Sequence, residues 1–326
     1  MDSVTQAVLG AAIGGAIAPT GQRRKALLVG AALGTLPDLD VVIDYGDAVA
    51  NFTYHRGFSH SLFVLPPFAL LLWLALQRWW APVRDAPLRW LAIIGLALIT
   101  HPLLDAHTAY GTQLLWPLDS PPVMWATLFI IDPLFTLPLL VAVVIAAAWP
   151  AGRSSQSLAR AGLLLSTLYL GWSWAAQSIV ARHAEDALTQ RGLSGAPVFI
   201  TPTPFNTLLW RIVVLTERGY LEGFDSLLID DGPIDFSAYA SGRQSLLDAN
   251  SVWAVSRLRW FSRDFVKASI VDDRLLITDL RMGQEPIYVF TPVVATRGNP
   301  HWEAIPTELI SPAVDERVLL DAWRRM

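Results

Sequence analysis

The chain has 326 residues, of which 53% are hydrophobic and 16% are charged, against roughly 25% charged in an ordinary soluble domain. Its formal net charge of −4 gives no electrostatic reason to bind nucleic acid, and the absence of cysteine excludes disulfides and thiolate metal ligands. The composition is uneven: residues 1–181 carry nine basic and nine acidic side chains, and residues 182–326 carry fifteen and nineteen.

Val4 to Ala18 is apolar and rich in small residues, with Gly10 and Gly14 four apart as close helix packing requires. The residues before it are acidic, so it does not read as a cleaved signal peptide. Arg23-Arg24-Lys25 and a second apolar run, Ala26 to Leu36, follow. Both runs fall short of the ~20 residues a straight crossing needs. An acidic loop spans Asp38 to Asn51, and Phe58 to Leu76 reads as a span kinked at Pro66-Pro67. Arg78, Arg84 and Arg89 mark a basic loop, with Trp79 and Trp80 as interface anchors. Trp90 to Leu104, Thr127 to Trp149 and Ala161 to Ala181 complete six apolar segments.

The basic loops 19–25, 77–90 and 150–160 can all be cytoplasmic at once. The acidic loop, the 106–126 loop and everything after residue 181 then lie outside. The expected fold is an all-α polytopic membrane helix bundle over residues 1–181, followed by a C-terminal extramembrane α+β domain over 182–326. In that second part a linker leads to the stiff segment Thr201-Pro202-Thr203-Pro204. Strands are expected at Leu208–Thr216, Tyr220–Ile229, Phe265–Val271, Arg274–Leu280 and Ile287–Thr296. Helices are expected at Gln244–Phe261 and Pro312–Arg325.

The expected topology gathers six metal-ligand candidates on one face: Asp38, Asp40, His55, His60, His101 and Asp105. Oxygen and imidazole donors of this kind suit a divalent ion, zinc first and manganese second. His101 and Asp105 are i, i+4 on one helix and project from the same side. Asp38 and Asp40 follow a proline stop, where turn chemistry alone also favours Asp. His55 belongs to a loop and His60 to the first helical turn after it, with Ser59 as a candidate cap. Arg56 either meets a phosphate oxygen or pairs with a carboxylate of the acidic loop. Asp132 interrupts an apolar run, a costly place for a carboxylate, and is a candidate proton acceptor. His107, two residues past Asp105, is either a further ligand or, as a loop residue near the site, outside it, the second reading standing ahead; His183 and His301 read as structural.

Met1-Asp2-Ser3-Val4-Thr5-Gln6, Leu36-Pro37-Asp38-Leu39-Asp40, His55-Arg56-Gly57-Phe58-Ser59-His60-Ser61 and His101-Pro102-Leu103-Leu104-Asp105 resemble the membrane-bound metal-dependent hydrolases of the YdjM/YbcI type. Tyr110-Gly111-Thr112 and Asp132-Pro133-Leu134 look like the same family. That family is in turn similar to zinc-dependent phospholipase C and its related nucleases. The resemblance implies that His101 and Asp105 match a His-x-x-x-Asp ligand pair, and that His60 with Asp38 and Asp40 match the earlier ligands. Gln6 stands where some members carry a histidine, and the later ligands of the soluble enzymes have no counterpart, which implies one or two ions.

The function expected is metal-dependent hydrolysis of a phosphoester or lipid-linked substrate at the outer surface of a bacterial-type inner membrane. In this reading His55 is a ligand or sits beside one, and Asp132 moves a proton. A non-enzymatic metal-binding scaffold whose outer domain recruits a partner is the alternative. Metal transport is less suited, because the inner halves of the helices offer few polar residues.

Overall fold

The computed structural model describes residues 1–149 and 153–309. The helix expected at Pro312–Arg325 lies outside the described residues. The chain divides into two units, Met1–Val42 with Arg56–Ala175 and Pro204–Asn206, and Ile43–His55 with Ala176–Thr203 and Thr207–Met326.

In chain order the helices are α1 (Ser3–Ile17), α2 (Arg23–Thr35), α3 (Ala48–Tyr54), α4 (Leu65–Trp79), α5 (Ala81–Asp85), α6 (Pro87–Asp105), α7 (Pro133–Ala148) and α8 (Arg153–Gln190). Short 3-10 turns occupy Pro37–Val42 and Phe58–His60. In the first unit α1 packs on α2, α6 and α7, while α6 also packs on α2 and α4. Glycines make the α1–α2 approach possible. A Cβ on Gly10 would meet the Gly30 carbonyl oxygen at 2.0 Å, and one on Gly34 would meet the Gln6 carbonyl oxygen at 2.4 Å. Pro37 then ends the second of these helices.

The buried residues of α6 follow the helical repeat. Trp90, Ile93, Ile94, Ala97 and Leu98 form a stripe that continues into His101, Leu104 and Asp105. Each large apolar member contributes on the order of 1.5–3 kcal/mol by leaving water. That burial fixes the rotation of the helix, and so the direction of the two polar side chains at its end.

The expected polytopic bundle is not what forms. Among the described residues one helix, Pro87–Asp105, is long and apolar enough to cross a membrane. A second is available only if Ala48–His60 and Leu65–Trp79, bent by 56°, count as one broken span. Helix termini explain the difference. The run from Thr127 loses its first turns because the Asp132 carboxylate caps the backbone at Leu134 and Phe135, which starts α7 only at Pro133. Its 16 residues reach about 24 Å, against a hydrocarbon core of about 30 Å. The run from Phe58 opens with a 3-10 turn, so α4 starts at Leu65. Ser166, Thr167, Ser173 and Gln177 dilute the apolar character of α8.

The second unit is built on antiparallel sheets. One has the order β1 (Val198–Pro202), β2 (Leu209–Leu215), β3 (Tyr220–Ser226), β4 (Phe236–Tyr239). The helical segment expected at Gln244–Phe261 is broken at Ala249–Val252 into α9 (Arg243–Asp248) and α10 (Trp253–Ser262). A second sheet contains β5 (Val266–Val271) and β6 (Arg274–Asp279), joined at Asp272-Asp273. Both turn residues have positive φ, as a two-residue hairpin of this hand requires. The strand expected at Ile287–Thr296 is split. The two-residue β7 (Gly283–Gln284) pairs with β8 (Ile287–Tyr288), while β9 (Pro292–Arg297) joins β6 and β10 (Trp302–Leu309). The core of the first sheet is Trp210, Ile212 and Val214 against Ala176, Val180, Ala184 and Leu188 of α8. Within this unit α3 packs on α10, where Arg257 lies 4.6 Å over the Tyr54 ring and bonds to Thr53.

Candidate metal centre

Three elements of the first unit converge on one point. The 3-10 turn after α2 supplies Asp38, the second 3-10 turn supplies His60, and the last turn of α6 supplies His101 and Asp105. One ligand atom from each lies within 4.8 Å of all the others. His60 Nε2 stands 3.1 Å from His101 Nε2, 3.1 Å from Asp105 Oδ2 and 3.4 Å from Asp38 Oδ1. His101 Nε2 stands 3.3 Å from Asp38 Oδ1 and 3.4 Å from Asp105 Oδ2.

The outer nitrogens of both rings are committed. His101 Nδ1 donates to the Gly34 carbonyl at 2.6 Å, and a carbonyl only accepts. Ser59 Oγ gives its proton to Asp40 Oδ2 at 2.5 Å and stands 2.8 Å from His60 Nδ1, so that nitrogen is the donor. A neutral imidazole carries one proton. With both rings neutral, as metal ligation requires, both Nε2 atoms present lone pairs, toward each other and toward two carboxylate oxygens. Two protonated rings cannot face one another at 3.1 Å, so at most one of the two carries a second proton while no ion is bound. Asp38 Oδ1 is buried without a hydrogen-bond partner, as an oxygen waiting for a cation is. Without an ion, burial pushes the Asp38 carboxyl up, and the His101 and His60 rings beside it outweigh this and hold it below the usual carboxylate range.

The remaining candidates take other places. Asp40 is buried and turned to the Arg56 backbone N–H at 3.0 Å and to Ser59, so it supports His60 through that hydroxyl. His55 ends α3 in the second unit and is not in the quartet. Asp132 is also outside it. One of its oxygens caps α7, and the other accepts from the Tyr169 hydroxyl at 3.0 Å. Burial raises its pKa against those three hydrogen bonds. His107 is buried beside Trp125 and accepts from the Trp174 indole N–H at 3.3 Å. Burial, reinforced by the nearby Met1 amino group, pushes it down to about 4.

Several contributors take roles that their residue type does not announce. The Gly34 carbonyl is a backbone atom. Gln6 donates to the His101 carbonyl and to Asp105 Oδ1, at 3.1 and 3.0 Å, rather than acting as a ligand. The Met1 amino group also pairs with Asp105. Ser59 links Asp40 to His60 where a helix cap was expected. The Arg56 guanidinium reaches Asp105, while its backbone N–H meets Asp40 of the acidic loop.

A family model described as YdjM inner membrane protein matches residues 1–180, more than half of the chain. The chain belongs to the YdjM inner membrane protein family. All four quartet residues fall inside the YdjM match, and β1 to β10 lie beyond it. The uncharacterized protein YfhP of Bacillus subtilis (strain 168) is similar, at 26% identity over 230 residues that cover 68% of each chain. The inner membrane protein YbcI of Escherichia coli (strain K12) is 35% identical over 99 residues, which are 28% of this chain and 54% of YbcI. No solved structure matches. The YdjM region thus contains a buried group of two carboxylates and two imidazoles that can hold a metal ion.

Proposed function

We propose that this chain is a metal-dependent hydrolase of the inner membrane, acting through one zinc ion on a phosphoester or lipid-linked substrate. The observation that carries the reading is the shape of the quartet. Zinc bonds of about 2.0–2.1 Å in a tetrahedron set ligand atoms about 3.3–3.4 Å apart. Five of the six separations run from 3.1 to 3.4 Å, and all four atoms lie within 4.8 Å of one another. Manganese favours octahedral oxygen sites and suits this donor set less well. A zinc ion held here would supply a water acidified to a pKa of about 7 and polarise the bond to be cleaved.

The protein's own part is to aim and to admit. Gly34 and the Ser59–Asp40 pair fix the two rings, as the partners behind metal ligands do. The His60, His101 and Asp105 side chains are fully buried, whereas Asp38 is 18% exposed, so substrate enters past Asp38. The basic residues Arg84 and Arg89 flank the start of α6 and the quartet sits at its end. With basic flanks cytoplasmic, the site faces outward.

One observation favours a second reading. Four protein ligands describe a closed structural zinc site, while catalytic sites keep a position open. On that reading the chain is a metal-binding scaffold whose outer domain recruits a partner. Turnover separates the two. Zinc-loaded protein should release product from a phosphoester and phospholipid panel, and His101→Ala or Asp105→Ala should lose both zinc and turnover. Zinc bound without turnover on any substrate favours the scaffold, and wild-type zinc content in both variants removes the site itself.

A further inference from the structure

Arg56 is a buried cation beside the quartet that no ligand role explains. It is 4% exposed, and its φ of +59° places it in the left-handed region. A non-glycine residue holds that conformation only where its surroundings impose it, and such positions gather at functional sites. Two contacts hold that backbone: Asp40 Oδ2 takes the Arg56 N–H at 3.0 Å, and the Gln113 N–H donates to the Arg56 carbonyl at 3.0 Å. The same Asp40 oxygen takes the Ser59 hydroxyl that aims His60. One carboxylate therefore sets a ligand ring and the backbone of Arg56 together.

The guanidinium is itself aimed. Its Nε stands 3.3 Å from Asp105 Oδ2, the oxygen that faces both imidazoles. Its Nη1 donates to Thr108 Oγ1 at 3.3 Å, and its central carbon lies 4.9 Å from the Tyr110 ring centre. These contacts use Nε and Nη1. Among the described residues Nη2 has no hydrogen-bond or ion-pair partner. Asp40 reaches the backbone of Arg56, not its guanidinium. When Asp105 and Asp38 commit their charge to a divalent ion, Arg56 keeps a positive charge and two spare N–H donors at the edge of the quartet.

We infer that Arg56 holds the substrate: Nη2 takes an oxyanion of a phosphoryl group while another oxygen of the same group faces the ion. The site thereby selects anionic phosphoesters over neutral esters and amides. A planar guanidinium matches phosphate oxygens in a way an ammonium does not. The inference rests on the metal reading above and narrows its substrate class.

The test uses the full-length protein in detergent micelles, loaded with cobalt(II) in place of zinc so that the metal reports through its visible spectrum. Inorganic phosphate is titrated in one arm and phosphatidic acid in the same micelles in the other. Imidazole, a neutral metal ligand, is the control. Phosphate or phosphatidic acid should shift the wild-type spectrum, and Arg56→Gln should weaken that binding about 10- to 100-fold with imidazole affinity unchanged. Arg56→Lys keeps the buried charge, serves if the glutamine variant does not fold, and should bind the anion more weakly than wild type. Tighter binding of the lipid arm assigns the phosphoryl group to a lipid headgroup, and equal binding assigns it to a soluble ester; either outcome supports the role of Arg56. Equal anion affinity in wild type, Arg56→Gln and Arg56→Lys, with cobalt bound in all three, overturns this inference and leaves the metal reading standing. No cobalt in the wild type overturns both.

Discussion

Gly34→Ala tests whether helix packing governs the metal centre. A Cβ at residue 34 would lie 2.4 Å from the Gln6 carbonyl oxygen and 3.2 Å from Gly10 Cα. Ordinary contact begins near 3.4 Å, so α2 and α1 must part by about 1 Å, because both sides of the clash are helix backbone. The Gly34 carbonyl travels with α2. Its 2.6 Å hydrogen bond from His101 Nδ1 does not survive a lengthening of that size. His101 then loses the partner that fixes its tautomer and ring angle, a loss that costs about 10- to 100-fold in metal affinity. Overpacking adds about 1–3 kcal/mol of destabilisation. Competition against a chromophoric chelator measures the first effect and thermal unfolding the second. Gly95→Ala is the control: it lies in α6 with nothing within 4 Å of its added Cβ, and it should gain about 1 kcal/mol of helix propensity at unchanged zinc affinity. Wild-type zinc affinity in a folded Gly34→Ala protein would refute the link from packing to ligand.

Two further outcomes follow from the same geometry. Ser59→Ala breaks the relay from Asp40 to His60 and leaves a buried Nδ1 without its partner, so zinc affinity should fall about tenfold in the same competition assay while Ser59→Thr retains it. Asp132 has a folded pKa raised by burial, so the folded state holds its proton more tightly than the unfolded state does. Its contribution is present below the unfolded pKa of about 4 and is lost as pH rises through the folded value. Asp132→Asn keeps the cap and removes the buried charge. It should unfold at or above the wild-type temperature at pH 7, and the decline of stability just above pH 4 should flatten. A lower unfolding temperature at pH 7 would show that the charged carboxylate stabilises the fold.

What could be read from the sequence divides along a physical line. Asp38, His60, His101 and Asp105 are visible because metal ligation needs particular residue types, and the His101–Asp105 spacing puts both on one helical face. Asp38 and Asp40 look equivalent on paper; the 3-10 turn separates them, giving one to the quartet and the other to Ser59. The Gly34 carbonyl and the left-handed Arg56 leave no mark, since backbone atoms and dihedral angles are not spelled in residue names. Apolar runs overstated the number of crossings. Hydropathy registers composition, while helix length is decided by termini such as the Asp132 cap and the Phe58–His60 turn. In the second unit β2, β3, β5 and β6 fall within the runs expected as strands. The Ala249–Val252 break was hidden because Asn250 and Ser251 interrupt an otherwise helical run by only two residues.

A chain with no cysteine has no covalent means of tying distant segments together. His60 lies 41 and 45 positions from His101 and Asp105, and an ion shared among them would close a loop of that length. By the chain-entropy relation used for disulfides, fixing such a loop removes about 4 kcal/mol of freedom from the unfolded chain. The quartet is then a reversible cross-link. Metal supply would govern how long the folded chain persists as well as what it does, and a chelator would act on it as a reductant acts on a secreted protein.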